Sequence, residues 1–174
     1  MIINLRPILE SDLQKLYDWR NDPYIMARTR QQEKLEWSNH LEWFKNLNPS
    51  KDVMRVIEAV DEYKTPVKPI GACGITNIDW ISRSGELSIY IGDKEYRGRG
   101  VGILIMQELK RIFFDNLNLR RFWAEVYGFN TSMMRMLGKA GFRLDALIIN
   151  TVWKDGAYQN SHFYSFIQKD WGKK

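Results

Sequence analysis

The sequence predicts a mixed α/β (α+β) fold, a central mixed sheet of about seven strands with about four helices on both faces. Three observations predict it. Short runs of alternating character recur along the chain, and apolar runs at helical spacing fall between them. A glycine-rich stretch, RGRGVG at 97–102, sits between one such strand and the longest helical run. The element order reads β-αα-βββ-α-β-α-ββ. The 174 residues fit one domain over 1–174 with a single core.

The elements are justified in turn. INLRPI alternates weakly and reads as a first strand. SDLQ at 11–14 has the form of a capping box, starting a helix through Leu13, Leu16 and Tyr17 that Asn21, Asp22 and Pro23 terminate. A second helix over about 33–47 carries Leu35, Trp37, Leu41, Trp43, Phe44 and Leu47. VMRVIEAV (53–60) and PIGACGITNI (69–78) read as paired strands, joined by the proline-bearing hairpin loop DEYKTPVKP (61–69). GELSIYIG (85–92) alternates, with Leu87, Ile89 and Ile91 on one face and Glu86, Ser88 and Tyr90 on the other. After the glycine stretch, Val101, Leu104, Ile105, Leu109, Ile112 and Phe113 follow helical spacing. RRFWAEVY (120–127) is a strand, and Asn130 is placed to cap a short helix ending at Gly141. Two closing strands, about 142–153 and 158–168, meet at the KDG turn (154–156).

Composition narrows the function. Hydrophobic residues at 44%, charged at 27% and aromatic at 13% describe a folded chain rather than a disordered one. MIINLRP lacks a signal-peptide core, and no apolar run reaches the length of a membrane span. Cys73 is the only cysteine, so no intrachain disulfide and no cysteine-based metal site is expected, and the compartment expected is the cytoplasm. The net charge of +5 suits an anionic ligand, but Lys and Arg are scattered among acids rather than arranged in a stripe. A nucleic-acid partner is therefore not expected.

Residues 97–102 raise the sharpest question. Glycines at every second position cost backbone entropy and pack nothing, so they imply a backbone that approaches a ligand closely. The junction of a strand and a helix offers free N–H groups and the positive end of the helix dipole, a site for an anion. A Walker A loop is excluded because no Gly-Lys-Ser/Thr follows. A dinucleotide GxGxxG is missing, since Gly98, Gly100 and Gly102 alternate and Ile103 stands at the last position. An RGG-type nucleic-acid segment would be repeated and disordered. A tight turn without a ligand is the plain alternative.

Arg97-x-x-Gly100-x-Gly102, after a strand and opening a helix, resembles the [QR]-x-x-G-x-[GA] pyrophosphate loop of the GNAT-type N-acetyltransferase superfamily. AEVYGFNTSMMRMLGKAGFRLD (124–145) is similar to that family's strand, Asn-initiated helix and K-x-G-F ending. The resemblance covers nearly the whole chain. It implies a sheet splayed in the middle, between strands 85–92 and 120–127, with acetyl-CoA (coenzyme A) as co-substrate and no metal. It also implies that backbone groups near Ile89 and Ile91 pair with the pantetheine arm. The pyrophosphate would rest on Arg97, Gly98, Arg99, Gly100, Val101 and Gly102, and Asn130 would contact the pantetheine region. The acceptor amine is mostly protonated at neutral pH, so its proton must be removed before attack. Glu86, where the family often places an acid, is the expected base; its bland alternative is an exposed strand carboxylate or an ion pair with Arg83. Many members carry a tyrosine, the acid for the departing thiolate, where this chain has Leu137. A water, Ser132 or no acid at all then serves.

LRPILESDLQKLYDWRNDP, HLEWF (40–44) and IGACGITNIDW (70–80) are similar to the subgroup of ribosomal-protein-alanine, spermidine and amino-sugar-nucleotide acetyltransferases. WRND and HLEWF are most similar to the sugar-nucleotide members. The hairpin 155–166 departs from the subgroup's G-x-Y-x-D pattern, with Asn160 in place of Asp. Candidate acceptor-site residues are Trp19, Arg20, Asn21, His40, Asp79, Trp80 and Tyr90. Six of the seven have a structural alternative: packing for Trp19, Trp80 and Tyr90, a helix-end charge for Arg20, a buried histidine for His40, a turn cap for Asp79. The function expected is acetyl transfer to a primary amine of a small molecule, such as an amino-sugar nucleotide. A protein N-terminus is the second acceptor class, and a noncatalytic acyl-CoA-binding module is the alternative of a different kind. No membrane partner is expected, and a homodimer is within what the resemblance implies.

Overall fold

A computed structural model describes residues 1–61 and 64–168, without the side chains of 61 and 64–66. Seven strands form one sheet in the order β1-β2-β3-β4-β5-β7-β6. They are β1 (Ile2–Pro7), β2 (Val53–Asp61), β3 (Lys64–Asp79), β4 (Ser84–Ile91), β5 (Arg121–Tyr127), β6 (Arg143–Lys154) and β7 (Ala157–Ile167). Every neighbouring pair is antiparallel except β4 and β5, which run parallel at the centre. Helices α1 (Leu13–Arg20), α2 (Pro23–Ala27) and α3 (Trp37–Lys45) precede β2; α4 (Val101–Lys110) joins β4 to β5 and α5 (Thr131–Lys139) joins β5 to β6. The strand of 85–92 and the helix of 101–113 thus stand where their patterns place them. The loop expected over 61–69 is instead strand at Asp61, which ends β2, and over 64–69, which begin β3, while residues 62–63 lie outside the described residues.

The core follows the sequence periodicity. Ile105, Leu109 and Phe113 on one face of α4 and its π-helical continuation (Arg111–Asn116) are buried against Ile75, Phe122 and Ala124 of the sheet. Phe113 stacks on Phe122 with ring centroids 4.4 Å apart. Burial of each such large side chain contributes roughly 1.5–3 kcal/mol. At the KDG turn Asp155 and Gly156 both take positive φ, 52° and 80°, as a tight two-residue hairpin requires.

Three local expectations are corrected. Ser11 does not cap α1. The chain enters through a 3-10 turn (Glu10–Asp12), and Asp12 accepts the Leu9 N–H at 2.8 Å while paired with Arg6. The acid wins because it satisfies a backbone donor and a guanidinium together. Pro23 starts a helix rather than only ending one, since proline suits the first helical position and Asp22 accepts the Tyr24 N–H at 2.8 Å. The helix expected from 33 begins at Trp37. Residues 28–36 form a loop instead, anchored where the Asn21 side chain accepts the Leu35 N–H (2.7 Å) and donates to its carbonyl (3.1 Å).

Candidate active site

The central strands part. β4 and β5 are in register only at Ser84–Arg121, Gly85–Phe122 and Glu86–Trp123. From Leu87 onward the β5-facing edge of β4 has no strand partner, while its other edge stays paired with β3 through Ile91. Two cavities open along this wedge and share Arg28, Thr29, Ile89, Tyr90, Asn130 and Met133. One, of about 400 Å3, extends over the glycine stretch; the other, of about 250 Å3, runs toward α3.

Along the glycine stretch the larger cavity is lined by bare backbone. Gly98 and Gly100 adopt φ of 76° and 78°, a region other residues enter at a cost, and a side chain on either would meet no atom within 4 Å. The conformation, not crowding, demands glycine there. Gly102 is required differently: a Cβ would lie 3.1 Å from Met136 Cγ, so its absence lets α4 and α5 approach. Residues 97, 98 and 100–103 line this cavity at the N-terminus of α4. Asn130 caps α5 by accepting the Met133 N–H at 3.3 Å and also lines both cavities. A wedge edge free to pair, left-handed glycines facing open space and a helix N-terminus together fit the pantetheine and pyrophosphate of coenzyme A.

The arginines of the stretch act otherwise than their charge suggests. Arg97 folds back, donating to the Ile91 carbonyl at 2.9 Å and the Gly92 carbonyl at 2.6 Å, with its guanidinium 4.3 Å from the Tyr24 ring centroid. It ties the loop to the end of β4. Arg99 is exposed and does not line the cavity. Besides Arg97, the cations that line it include Arg28, Arg135 and Lys139, which the sequence pattern did not single out.

The smaller cavity is built by side chains. Glu86 is buried at 5% exposure; its Oε1 accepts from Arg30 Nη2 at 2.6 Å and its Oε2 from Asn77 Nδ2 at 2.7 Å. Its partner is therefore Arg30, not Arg83. Arg30 also donates to Glu125 Oε2, through Nη2 at 2.5 Å and Nε at 3.0 Å, so one guanidinium joins two cavity carboxylates. Burial opposes the Arg30 charge, but the bonds to Glu86 and Glu125 outweigh it and hold the pKa above the ordinary arginine value. Glu125 Oε1 in turn accepts from the buried Ser161 hydroxyl. Arg30 and Glu125 lie 95 residues apart, so no local motif announced them.

The acceptor-site candidates divide. Arg20, His40 and Tyr90 line the cavity. His40 is buried among Tyr17, Trp37 and Trp43, and its Nε2 bonds the Leu13 carbonyl at 3.0 Å. Desolvation pushes its pKa below the ordinary value, the hydrogen bond to Leu13 opposes this in part, and the Arg20 charge adds to it. Burial raises the Tyr90 hydroxyl, with Arg20 countering. Trp19, Asn21, Asp79 and Trp80 do not line the cavity. Trp19 packs its ring on Gly92, where a Cβ would lie 2.1 Å from it. Asp79 caps its own turn by accepting from Ile81 N, Ser82 N and the Ser82 hydroxyl. The Trp80 indole donates to the Ser50 carbonyl at 2.6 Å. At the tyrosine position Leu137 is fully buried, while Ser132 lines the larger cavity with its hydroxyl bonded to Asn130 at 3.0 Å.

Two further staples hold the cavity roof. The Lys154 ammonium, 5% exposed, donates to the carbonyls of Met26 (2.7 Å), Thr29 (2.7 Å) and Gln31 (3.2 Å). Gln31 Oε1 accepts from Arg20 Nε at 3.1 Å. The loop bearing Arg28 and Arg30 is thus fixed by the β6–β7 hairpin.

Comparison with known proteins agrees with this geometry. YwnH of Bacillus subtilis (strain 168), provisionally named a phosphinothricin acetyltransferase, is 39% identical over 61 residues, 35% of this chain and 36% of the relative. The uncharacterized N-acetyltransferase p20 of Bacillus licheniformis is 26% identical over 102 residues, 59% of this chain. That alignment spans 57% of p20, so neither relative is matched over two thirds of its length. Among solved structures, spermidine N-acetyltransferase from Vibrio cholerae in complex with CoA and spermine superposes with a TM-score of 0.84 at 21% identity, over 97% of both chains. A dodecameric structure of spermidine N-acetyltransferase from the same organism superposes at 0.80 and 20% identity, over 98% of this chain and 96% of that one. These neighbours share the fold. The family model for the acetyltransferase (GNAT) domain matches residues 3–143, and the chain belongs to that family.

Proposed function

We propose that the protein transfers the acetyl group of acetyl-CoA to the amine of a small molecule that also carries an anionic group, the amino-sugar nucleotides being one such class. The observation that carries the acceptor class is the charge of the smaller cavity. Its carboxylates, Glu86 and Glu125, are both engaged by Arg30, whereas Arg20 and Arg28 also line it and no ion pair to either is present among the described residues. Guanidinium forks of this kind suit phosphate or carboxylate oxygens. A polyamine such as the spermine in the Vibrio cholerae complex would need carboxylates to spare.

Acetyl-CoA would supply the activated acyl group. Residues 98–102 would hold its pyrophosphate, and the unpaired edge of β4 near Ile89 and Ile91 would hold its pantetheine arm and offer N–H groups to the carbonyl oxygen. The amine nitrogen bonds to the acyl carbon as the carbon–sulfur bond breaks, and the amine proton passes to the Glu86–Glu125 pair. Each of these carboxylates retains lone pairs beyond the bonds it accepts. With Leu137 at the tyrosine position, the thiolate leaves without a tyrosine acid, which a thiol of ordinary pKa permits near neutral pH.

Thiol release from acetyl-CoA, measured over amines with and without phosphate or carboxylate groups, tests this. Turnover confined to anionic amines is expected. Turnover confined to polyamines, or to peptides with free N-termini, would overturn the acceptor class. Tight acetyl-CoA binding with no turnover of any amine would overturn the enzyme reading.

A further inference from the structure

We propose that Ser161 and Thr151 form a proton exit from the acceptor cavity, acting as positioning residues through Glu125. The inference rests on the acetyl-transfer reading above. Each turnover delivers a proton to the Glu86–Glu125 pair, and with both cavities filled by substrates that proton needs a route to water. On the Glu86 side there is none: its oxygens are bonded by Arg30 and Asn77. A guanidinium does not give up its proton, and a side-chain amide is no relay. On the Glu125 side the hydrogen bonds lead outward. Ser161, fully buried on β7, donates its hydroxyl to Glu125 Oε1 at 2.5 Å, and its oxygen lies 2.6 Å from Thr151 Oγ1. Thr151 is exposed on β6, the edge strand of the sheet.

Regular pairing would not make this chain of contacts. Ser161 is in register with Ile148, and the pairing of β6 with β7 slips between Ile148 and Val152. Asn150 takes a φ of 53° within the slip, and its N–H is held by Asn160 Oδ1 at 3.0 Å. The irregularity brings Thr151 onto Ser161, in the way bulges re-aim side chains beside functional sites. Asn160, which departs from the subgroup's aspartate, has a role in holding it.

The transfer balances. The ammonium of the acceptor loses one proton to Glu125 before attack, and the second, on the nitrogen once it has bonded to the acyl carbon, leaves with the coenzyme A thiolate as its thiol. Glu125 passes it from Oε1 to the Ser161 oxygen while the Ser161 proton moves to Thr151 and the Thr151 proton to water. The two hydroxyls turn outward before the transfer, Thr151 leaving the Gln159 carbonyl to which it donates at 3.2 Å, and the transfer itself leaves Ser161 donating to the regenerated carboxylate as in the structure.

Ser161→Ala, Thr151→Val, Thr151→Ser and Glu125→Gln test the route, assayed with an anionic amine that the wild type acetylates. Ser161→Ala is expected to lower kcat roughly 100-fold, the lower end of what positioned proton transfer contributes, with a larger solvent deuterium isotope effect and both KM values unchanged. Thr151→Val should lower kcat in the same direction with the melting temperature unchanged, and Thr151→Ser should restore it. Loss of activity in Glu125→Gln with wild-type kcat and isotope effect in Thr151→Val and Ser161→Ala would overturn the relay alone. Wild-type kcat in both Glu125→Gln and Glu86→Gln would overturn the carboxylate pair, and the relay with it. Should Ser161→Ala fail to fold, the exposed Thr151 variants decide.

Discussion

The two halves of the wedge are made of different material. The larger cavity rests on backbone: two left-handed glycines, a helix N-terminus and the unpaired edge of β4. The smaller one rests on side chains drawn from the loop after α2, from β3, β4, β5 and β7, with Arg30 joining Glu86 to Glu125. A backbone site depends on conformation, which a few adjacent glycines can encode. A side-chain site depends on long-range contact, which no short stretch of chain encodes. The first suits a ligand common to a family, the second an acceptor that varies within it.

Breaking the smaller cavity should produce the largest effect. Glu125→Gln and Glu86→Gln are each expected to lower kcat by roughly 10²–10⁴-fold if the pair takes the amine proton. Acetyl-CoA affinity, measured by calorimetry, should stay at the wild-type value. A fall in affinity instead of kcat would erase the division between the two halves.

The converse experiment attacks the backbone. Gly100→Val forces a β-branched residue to φ near 78°, at a cost of about 1–2 kcal/mol. If the loop pays that by leaving its conformation, acetyl-CoA binding weakens by about tenfold for each 1.4 kcal/mol. The acceptor KM should not follow. Because no protein atom lies within 4 Å of a Cβ at this position, Gly100→Ala tests the same conformation with the smallest side chain and should weaken binding in the same direction.

Lys154→Met sharpens the comparison, since it touches neither ligand but removes the staple on the roof of the smaller cavity. Leaving the Met26, Thr29 and Gln31 carbonyls without their donor should cost about 1–3 kcal/mol in denaturant unfolding. The acceptor KM should rise more than acetyl-CoA affinity falls, because Arg30 and Gln31 line only the smaller cavity while Arg28 and Thr29 line both. Equal loss of both would mean the loop serves the two cavities alike.

The smallest effect expected is a pH dependence from His40. Its folded-state pKa lies below the 6.5 of the unfolded chain, chiefly through desolvation. At pH above 6.5 neither state binds the proton and the residue contributes nothing to the slope. As pH falls below 6.5 the unfolded chain binds the proton first, so stability declines through that window. Melting temperatures of the wild type should therefore fall more steeply between pH 7 and 5 than those of His40→Asn, a window set by the 6.5 reference. Parallel curves would show that the histidine does not titrate on unfolding.

The boundary between what could be read early and what could not follows the same division. The strand of 84–91, the helix of 101–110, the Asn130 cap and the KDG turn were legible because each depends on residues a few positions apart. Arg97 shows the limit even inside a motif: its position on the cavity was legible, but the bonds of its guanidinium to the carbonyls that end β4 were not. Trp80 and Asp79 stayed ambiguous because their residue types suit a pocket as well as packing or a turn, and the fold shows Asp79 capping its turn and Trp80 bonded to the Ser50 carbonyl. Helix α2 was hidden because Pro23 reads as a breaker unless the Asp22 cap is seen to make it a first residue.

By itself the sequence determined the order of elements apart from α2 and the place of the glycine loop, because hydrophobic period, φ preference and capping act over neighbouring residues, and the resemblance of 97–102 and 124–145 pointed to the family. The tertiary structure alone decided the charge network of the acceptor cavity. Arg30 meets Glu86 and Glu125 across 56 and 95 residues of chain, and Lys154 meets Met26 across 128. Such pairings are fixed when sheet register and helix packing bring distant side chains out of water together, and that step leaves no local signature.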